Sequence, residues 1–208
     1  LSVSSAASDV YKRQIKIAFV RGSIDKDKYQ TKIKSLLSLA DLVKNTLDTD
    51  NQIQSACNSF VDAKGSMFLG RGSSFPIALE GALKLKELAY IHAEGYPAGE
   101  MKHGPLALIE DGMPVVVIAP RDYYYNKTIS NMQEVIARGA KVLLITNKST
   151  DEIFSENIWQ KIEVENTDDD LLPFLITIPL QKLAYHSALK KGYDIDKPRN
   201  LAKSVTVE

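Results

Sequence analysis

The sequence predicts an α/β fold built on a parallel β-sheet. Residues 113–119 form a continuous apolar run bounded by glycine and proline, which is typical of a strand buried on both faces. An amphipathic helix over residues 126–138 follows, Gly139 ends it, and residues 141–146 form another apolar strand. Because strands that alternate with helices pair in parallel through right-handed crossovers, we expect these elements to share one parallel sheet.

The same alternation continues toward the C-terminus. Residues 158–164 form a more polar strand, which we place at an edge of the sheet. The acidic run 167–170 suits the N-terminus of a helix over residues 171–191 through the helix dipole. His186 lies on this helix among leucine and alanine, so we interpret it as a packed structural histidine and not as a catalytic one.

Helices are also predicted upstream of the sheet, over residues 15–64. The first carries an apolar stripe, and the second is capped by Thr49 or Asp50 and ends at Gly65. Residues 1–14 lack the apolar centre and basic flank of a signal peptide and are low in complexity, so we expect a non-native or artefactual segment. The apolar stripe of the first of these helices includes Ile33, Leu36, Leu37, Ala40 and Val43.

The composition argues against several classes of function. The chain has 208 residues with 26 basic and 26 acidic side chains, so no net field favours nucleic acid or an anionic membrane. No apolar run is long enough to span a bilayer. One cysteine, Cys57, cannot form an internal disulfide and gives no metal-binding pattern. We therefore expect a cytoplasmic protein without a metal or an organic cofactor.

The stretch from Gly70 to Pro105 is the densest in candidate functional residues. It follows the end of a short buried strand at residues 67–69, and Ser73 or Ser74 can cap the helix that comes next. We predict this helix over residues 77–91, stopped by Gly95 and Pro97, with a loop beyond it. Its sheet-facing residues are predicted to be Leu79, Leu83 and Ile91.

Three charged residues share one face of this predicted helix. Glu80, Lys84 and Glu87 are spaced i, i+4 and i+7, within an arc of about 60°. Such a group is either an ordinary solvated pair or a carboxylate that moves a proton beside an ammonium that stabilises an oxyanion. His103, held between a lysine and a Gly-Pro turn, is likewise either a surface residue or a proton-transfer group. Spacing alone leaves both alternatives open.

Two long motifs resemble the isomerase domain of the glutamine–fructose-6-phosphate aminotransferases. The motifs are residues 78–96 (ALEGALKLKELAYIHAEGY) and 99–109 (GEMKHGPLALI), and residues 196–208 (DKPRNLAKSVTVE) are similar to that family's C-terminal tail. The resemblance implies a flavodoxin-like, three-layer α-β-α sandwich, the second of two sugar isomerase (SIS) domains. It places this domain at residues 65–192, connector helices at 15–64 and an active-site tail at 193–208.

The same resemblance implies roles for individual residues. Lys203 would form a Schiff base with the open-chain ketose, Glu87 would move the proton between C1 and C2, and Lys84 would assist at the adjacent oxygen. His103 would open the sugar ring in the site of a partner subunit. Three further residues, Glu80, Arg199 and Ala202, would support the site or bind substrate.

The implied partners are fructose 6-phosphate, ammonia derived from glutamine, and a second subunit of a homodimer. The chain departs from the family in lacking the glutaminase nucleophile and the first SIS domain with its phosphate loop. The equivalent loop here, residues 70–74, has an arginine and fewer hydroxyls, so we interpret it as structural and not as an anion cradle. The alternatives are a non-catalytic sugar-phosphate-binding module and a related sugar-amine deglycase or isomerase.

Overall fold

A computed structural model describes residues 2–149 and 158–199 and shows an α/β fold. Within these residues five parallel strands form one sheet, in the order β2-β1-β3-β4-β5. The strands are β1 (Gly65–Gly70), β2 (His92–Pro97), β3 (Pro114–Ile118), β4 (Lys141–Asn147) and β5 (Ile158–Val164). This is the flavodoxin-like strand order, and β5 lies at an edge as predicted.

Helices cover both faces of the sheet. They are α1 (Ser2–Val20), α2 (Lys26–Leu47), α3 (Asp50–Ala56), α4 (Asn58–Val61), α5 (Ser74–Ala89), α6 (Tyr125–Ile136) and α7 (Leu172–Lys190), with 3₁₀ turns at Ala98–His103 and Pro105–Leu108. On one face Phe68 and Ile145 pack against α3, α5 and α7. On the other face Leu69 and Leu144 pack against α6 and the first 3₁₀ turn. The three-layer architecture is thus confirmed.

The upstream helices differ from the prediction in two respects. The segment predicted as one capped helix is two helices, α3 and α4, that meet at Cys57, and Gly65 begins β1 and does not terminate a helix. Along α2, Leu37 is exposed, whereas Leu39, Leu42 and Val43 pack against the core. The predicted stripe was therefore partly wrong, because α2 packs against the core through a partly different set of positions. Helix α1 runs continuously through residue 14. The interpretation of residues 1–14 as a non-native segment stays a prediction.

The structure of the segment after β1 also differs from the prediction. Helix α5 ends at Ala89, and residues 92–97, predicted as a helix end and a loop, form the edge strand β2 in parallel register with β1. Leu79 and Leu83 are 46% and 42% exposed and do not face the sheet. Leu85 and the small residues Ala78, Gly81 and Ala82 are buried there instead. The small residues let α5 pack so closely on β1 that a methyl group on Gly81 would lie 2.9 Å from the Phe68 ring.

Salt bridges attach helix α2 to the segment that precedes α7. Lys32 of α2 contacts Asp168 at 3.0 Å and Asp170 at 2.7 Å, just before α7 begins. The pKa of Lys32 is raised because the hydrogen bonds to these carboxylates outweigh its burial, which acts in the opposite direction. Among the described residues, no helix is both long enough and apolar enough to cross a membrane.

Candidate active site

The outer face of α5 carries the charged cluster. Lys84 Nζ lies 2.8 Å from Glu87 Oε2 and 3.9 Å from Glu80 Oε1. The side chains of Lys84 and Glu87 are 30% and 28% exposed, so the pair is half-buried but open to a ligand. The prediction that these three residues share one face is confirmed, since one helical turn brings i, i+3 and i+4 positions together.

The cluster is arranged to keep an ammonium charged. The hydrogen bond to Glu87 raises the pKa of Lys84 above its ordinary value, and the charges of Glu80 and Glu87 act in the same direction against the effect of burial. At neutral pH Lys84 is therefore a cation and not a free amine. Such a group can stabilise a developing oxyanion, whereas nucleophilic attack would need a deprotonated lysine.

His103 lies in the opposite layer of the domain. It ends the 3₁₀ turn at Ala98–His103, which packs on the α6 face of the sheet, while α5 covers the other face. Its side chain is 74% exposed, and Nε2 lies 3.9 Å from Glu100 Oε2. The neighbouring Lys102 pairs with Glu134 of α6 at 2.9 Å. In the part of the chain that the structure describes, His103 is thus not brought together with Glu87.

Arg199, from the start of the tail, docks at the C-terminal end of α5. Its backbone amide donates to the Tyr90 hydroxyl at 2.7 Å, and its guanidinium lies 4.0 Å from the centre of the Tyr90 ring. Tyr90 was missed from the sequence, although an aromatic residue placed one turn after Glu87 was a visible signal. The remaining predicted tail residues, Ala202 and Lys203, lie outside the described residues.

The glycine loop after β1, residues 70–74, makes close contacts with other parts of the chain. Arg71 Nε donates to Asn131 Oδ1 at 3.2 Å, and the guanidinium lies directly over Gly99. Gly72 has a φ of 53° and lies against the Tyr124 ring. A small cavity of about 250 Å³ next to the loop is lined by Ser73 together with two carboxylates, Asp122 and Asp169. These contacts support the structural interpretation of the loop, since carboxylates disfavour an anion.

His186 is packed and hydrogen-bonded, as predicted. It is buried on α7, and its Nε2 lies 2.7 Å from Asp50 Oδ1. Asp50 also accepts a hydrogen bond from Lys182 at 2.5 Å. These two hydrogen bonds, that of Lys182 foremost, lower the pKa of Asp50 to about 2. The cluster therefore fastens α3 to α7.

Comparison with known proteins identifies the family. A family model described as the SIS domain matches residues 59–191, which is more than half of the chain. The chain belongs to the SIS-domain family. The matched segment begins in α4 and ends just after α7, so it contains the sheet, α5, α6 and α7.

Two curated relatives carry the name glutamine–fructose-6-phosphate aminotransferase (isomerizing). The Bartonella henselae protein is 50% identical over 85% of this chain and 29% of its own length. The Brucella abortus protein is 48% identical over 93% of this chain and 32% of its own length. The chain therefore spans about a third of the length of these relatives.

Solved structures agree with the SIS-domain fold. The C-terminal domain of glucosamine-fructose-6-phosphate aminotransferase from Francisella tularensis has a TM-score of 0.83 and 42% identity, over 88% of this chain and 51% of that one. A tagatose-6-phosphate ketose/aldose isomerase from Escherichia coli has a TM-score of 0.67 at 23% identity, over 79% of this chain and 46% of that one. The second similarity concerns the fold alone.

Proposed function

We propose that this chain is the isomerase part of a glutamine–fructose-6-phosphate aminotransferase, which makes glucosamine 6-phosphate and glutamate from fructose 6-phosphate and glutamine. The observation that carries the proposal is the half-buried pair of Lys84 and Glu87, 2.8 Å apart on the open face of α5. The relatives named for this reaction extend well beyond the matched segment. The glutaminase and the first SIS domain would lie in that additional length, so we expect this chain to be inactive alone.

The proposed chemistry assigns one step to each residue. The amine of Lys203 attacks the C2 ketone of the open-chain sugar and releases water, giving an iminium; ammonia then adds at C2 and displaces the Lys203 amine, which leaves the ketose imine. Glu87 then takes a proton from C1 and returns it to C2, which converts the ketose imine into an aldose amine. Lys84, held as a cation by Glu87, stabilises the negative charge that develops on the adjacent oxygen.

The proposed role of His103 requires a second subunit. Opening the cyclic sugar needs a proton-transfer group, but His103 lies in the opposite layer from Glu87. Its exposed position suits donation into the site of a neighbouring copy. The proposal thus includes a cytoplasmic homodimer in amino-sugar biosynthesis, toward UDP-N-acetylglucosamine.

A non-catalytic sugar-phosphate-binding module is the second candidate. Arg71 lies over Gly99, and the carboxylates of Asp122 and Asp169 line the cavity beside Ser73, so the glycine loop at residues 70–74 is poorly suited to hold a phosphate. That observation argues against sugar-phosphate binding at this loop. The charged face of α5 and the docked start of the tail favour the catalytic proposal over it. A sugar-amine deglycase would not require glutamine-derived ammonia, so product analysis separates it from the synthase.

The test fuses this chain to the N-terminal two thirds of the Bartonella henselae relative and measures glucosamine 6-phosphate formation. We expect activity in the fusion and a loss of about 10²-fold or more in kcat for Glu87→Gln and for Lys203→Ala, the size of a lost general base or nucleophile. Glu110→Gln and Lys86→Met, at exposed positions, serve as matched controls. A folded but inactive fusion, or near-normal kcat in either variant, would contradict the proposal.

Mixed dimers test the placement of His103. If one subunit supplies His103 and the other supplies Lys203, then mixing His103→Ala and Lys203→Ala fusions restores part of the activity. No recovery after confirmed subunit exchange would show that each site is built from one chain.

A further inference from the structure

Tyr90 has an unusual backbone conformation at a key position. It is the first residue after α5, with a φ of 54° and a ψ of 34°, and it is the one non-glycine residue with positive φ among residues 2–149 and 158–199. A bulky side chain pays a steric penalty in this left-handed region, where glycine or asparagine is usual. An aromatic residue here implies that its side chain has a use that outweighs the penalty.

The side chain of Tyr90 contacts both ends of one short segment. At the near end, the Tyr193 ring lies 4.8 Å from the Tyr90 ring, centre to centre. At the far end, Arg199 donates its backbone amide to the Tyr90 hydroxyl at 2.7 Å and places its guanidinium 4.0 Å from the ring centre. The stretch 193–199 therefore passes around a single side chain.

Contacts within the same segment keep it compact. Tyr193 packs against the core directly after Gly192, which has a φ of 73° where α7 ends. The Asp194 carboxylate accepts hydrogen bonds from the amides of Asp196 at 3.0 Å and Lys197 at 3.2 Å. The chain that leaves α7 is thus turned back toward the end of α5, and Tyr90 is the point at which it is held.

We infer that Tyr90 is a positioning residue that holds the start of the C-terminal tail against the end of the helix carrying Lys84 and Glu87. The inference rests on the proposed function, in which Lys203 is the nucleophile. Tyr90 follows Glu87 by three residues, which is about 4.5 Å along a helix axis. Lys203 lies four positions after Arg199 in the sequence, and four residue steps of extended chain span at most about 14 Å. In the proposed function, the Tyr90 anchor therefore limits how far the backbone that carries the nucleophile can extend from the end of α5.

Hydroxyl and ring contribute differently to the anchor. The hydroxyl accepts the main-chain amide of Arg199 and so fixes the backbone whatever side chain follows it. The ring attracts the guanidinium through a cation–π contact, which a lysine at position 199 reproduces less well because it lacks the planar group. Removing the hydroxyl alone should loosen the tail less than removing the whole ring.

The first test needs no enzymatic activity. Hydrogen exchange at the Arg199 amide, measured by NMR in the 208-residue chain, should be faster by about tenfold or more in Tyr90→Phe, because an amide exchanges when its hydrogen bond opens. The Tyr90→Asn variant keeps the left-handed backbone conformation and should make exchange of the Arg199 amide faster still. If that variant does not fold, Tyr90→Gly takes its place in the test. Tyr123→Phe, at an exposed tyrosine, is the matched control. Equal exchange rates in wild type and Tyr90→Phe would overturn the anchor.

The second test uses the active fusion described above. Tyr90→Asn should lower kcat by about tenfold to a hundredfold, as expected for a displaced reacting group, with little change in the KM for fructose 6-phosphate. Tyr90→Phe should be intermediate. A purely structural role would lower thermal stability while leaving the kcat of the folded enzyme unchanged, and that result would overturn the inference.

The two tests separate this inference from the proposed function. If the wild-type fusion turns over and Tyr90→Asn keeps full kcat, the positioning role fails and the function stands. If the folded wild-type fusion is inactive while the Arg199 amide is protected through Tyr90, the proposed function fails, and with it the catalytic purpose of the anchor.

Discussion

Replacing Gly81 with alanine should destabilise the domain, although alanine is the better helix former. Gly81 lies in the middle of α5, and a methyl group there would lie 2.9 Å from two ring atoms of Phe68 and 3.1 Å from a methyl of Leu180. The Leu180 methyl ends a flexible side chain, but the Phe68 ring is fully buried in the centre of the sheet. Relief of the contact therefore requires α5 to move away from β1.

The expected magnitude follows from two opposing terms. Exchange of glycine for alanine inside a helix gains about 1 kcal/mol. Overpacking a well-filled core costs about 1–3 kcal/mol. The net loss in the free energy of unfolding is then about 1 kcal/mol, or roughly 2–4 °C in Tm for a domain of this size. Urea unfolding of the 208-residue chain, monitored by circular dichroism, measures it.

Two further variants make the test specific. The pair Lys86→Gly and Lys86→Ala calibrates the gain from glycine to alanine at an exposed position of the same helix. In a Phe68→Leu background the Gly81→Ala change should lose its cost, a coupling of about 1 kcal/mol. A Gly81→Ala variant that is more stable than wild type, by about the Lys86 difference, would refute the packing argument.

Two other predictions concern the α3 and α7 contacts. Asp50→Asn should lower stability at neutral pH by about 1–3 kcal/mol, because it leaves the buried His186 and the nearby Lys182 without their carboxylate. The pKa of Asp50 is lowered from 3.8 to about 2 in the folded chain, so its contribution to stability is fully present above about pH 5 and is lost as the pH falls through 3.8 toward 2. The stabilities of the two proteins should converge over that window, and a constant difference would argue against the ion pair. Cys57 is buried and its thiol pKa is raised by burial, so alkylation followed by mass spectrometry should be slow in the folded chain and fast in urea; rapid labelling without urea would contradict the packing.

The strands that were predicted from the sequence are those whose burial leaves a strong pattern. The central strands β3 and β4 are covered on both faces, so they appear as unbroken apolar runs. Strand β2 was missed because it lies at an edge and carries Glu94, Gly95 and Pro97. An edge strand needs a partner on one side only, so it tolerates residues that a central strand excludes.

The inner face of α5 was predicted wrongly for a different reason. Periodicity identifies a stripe of large apolar residues, and it selected Leu79 and Leu83. The distance between a helix and a sheet is set by the smallest residues at the contact, and here Ala78, Gly81 and Ala82 let α5 approach β1 closely. Nothing in the spacing of leucines shows that close approach in advance.

The candidate site shows the same division between local and tertiary information. The grouping of Glu80, Lys84 and Glu87 depends only on helical geometry, so the sequence was sufficient. The placement of His103 in the other layer depends on which face of the sheet the 3₁₀ turn covers. The docking of Arg199 on Tyr90 joins positions 109 residues apart, and only the folded chain brings them together.

Under the proposed function, helix α5 has three roles on separate parts of its surface, which makes them experimentally separable. Gly81 lies on the inner face, so its replacement should change the free energy of unfolding without touching the charged cluster. Glu87 lies on the open outer face, so Glu87→Gln should change turnover with little effect on stability. Tyr90 lies at the C-terminal end, so its replacement should change the exchange of the Arg199 amide first and turnover as a consequence. A variant that moved all three readouts together would show that α5 acts as one unit and would contradict the assignment of separate roles.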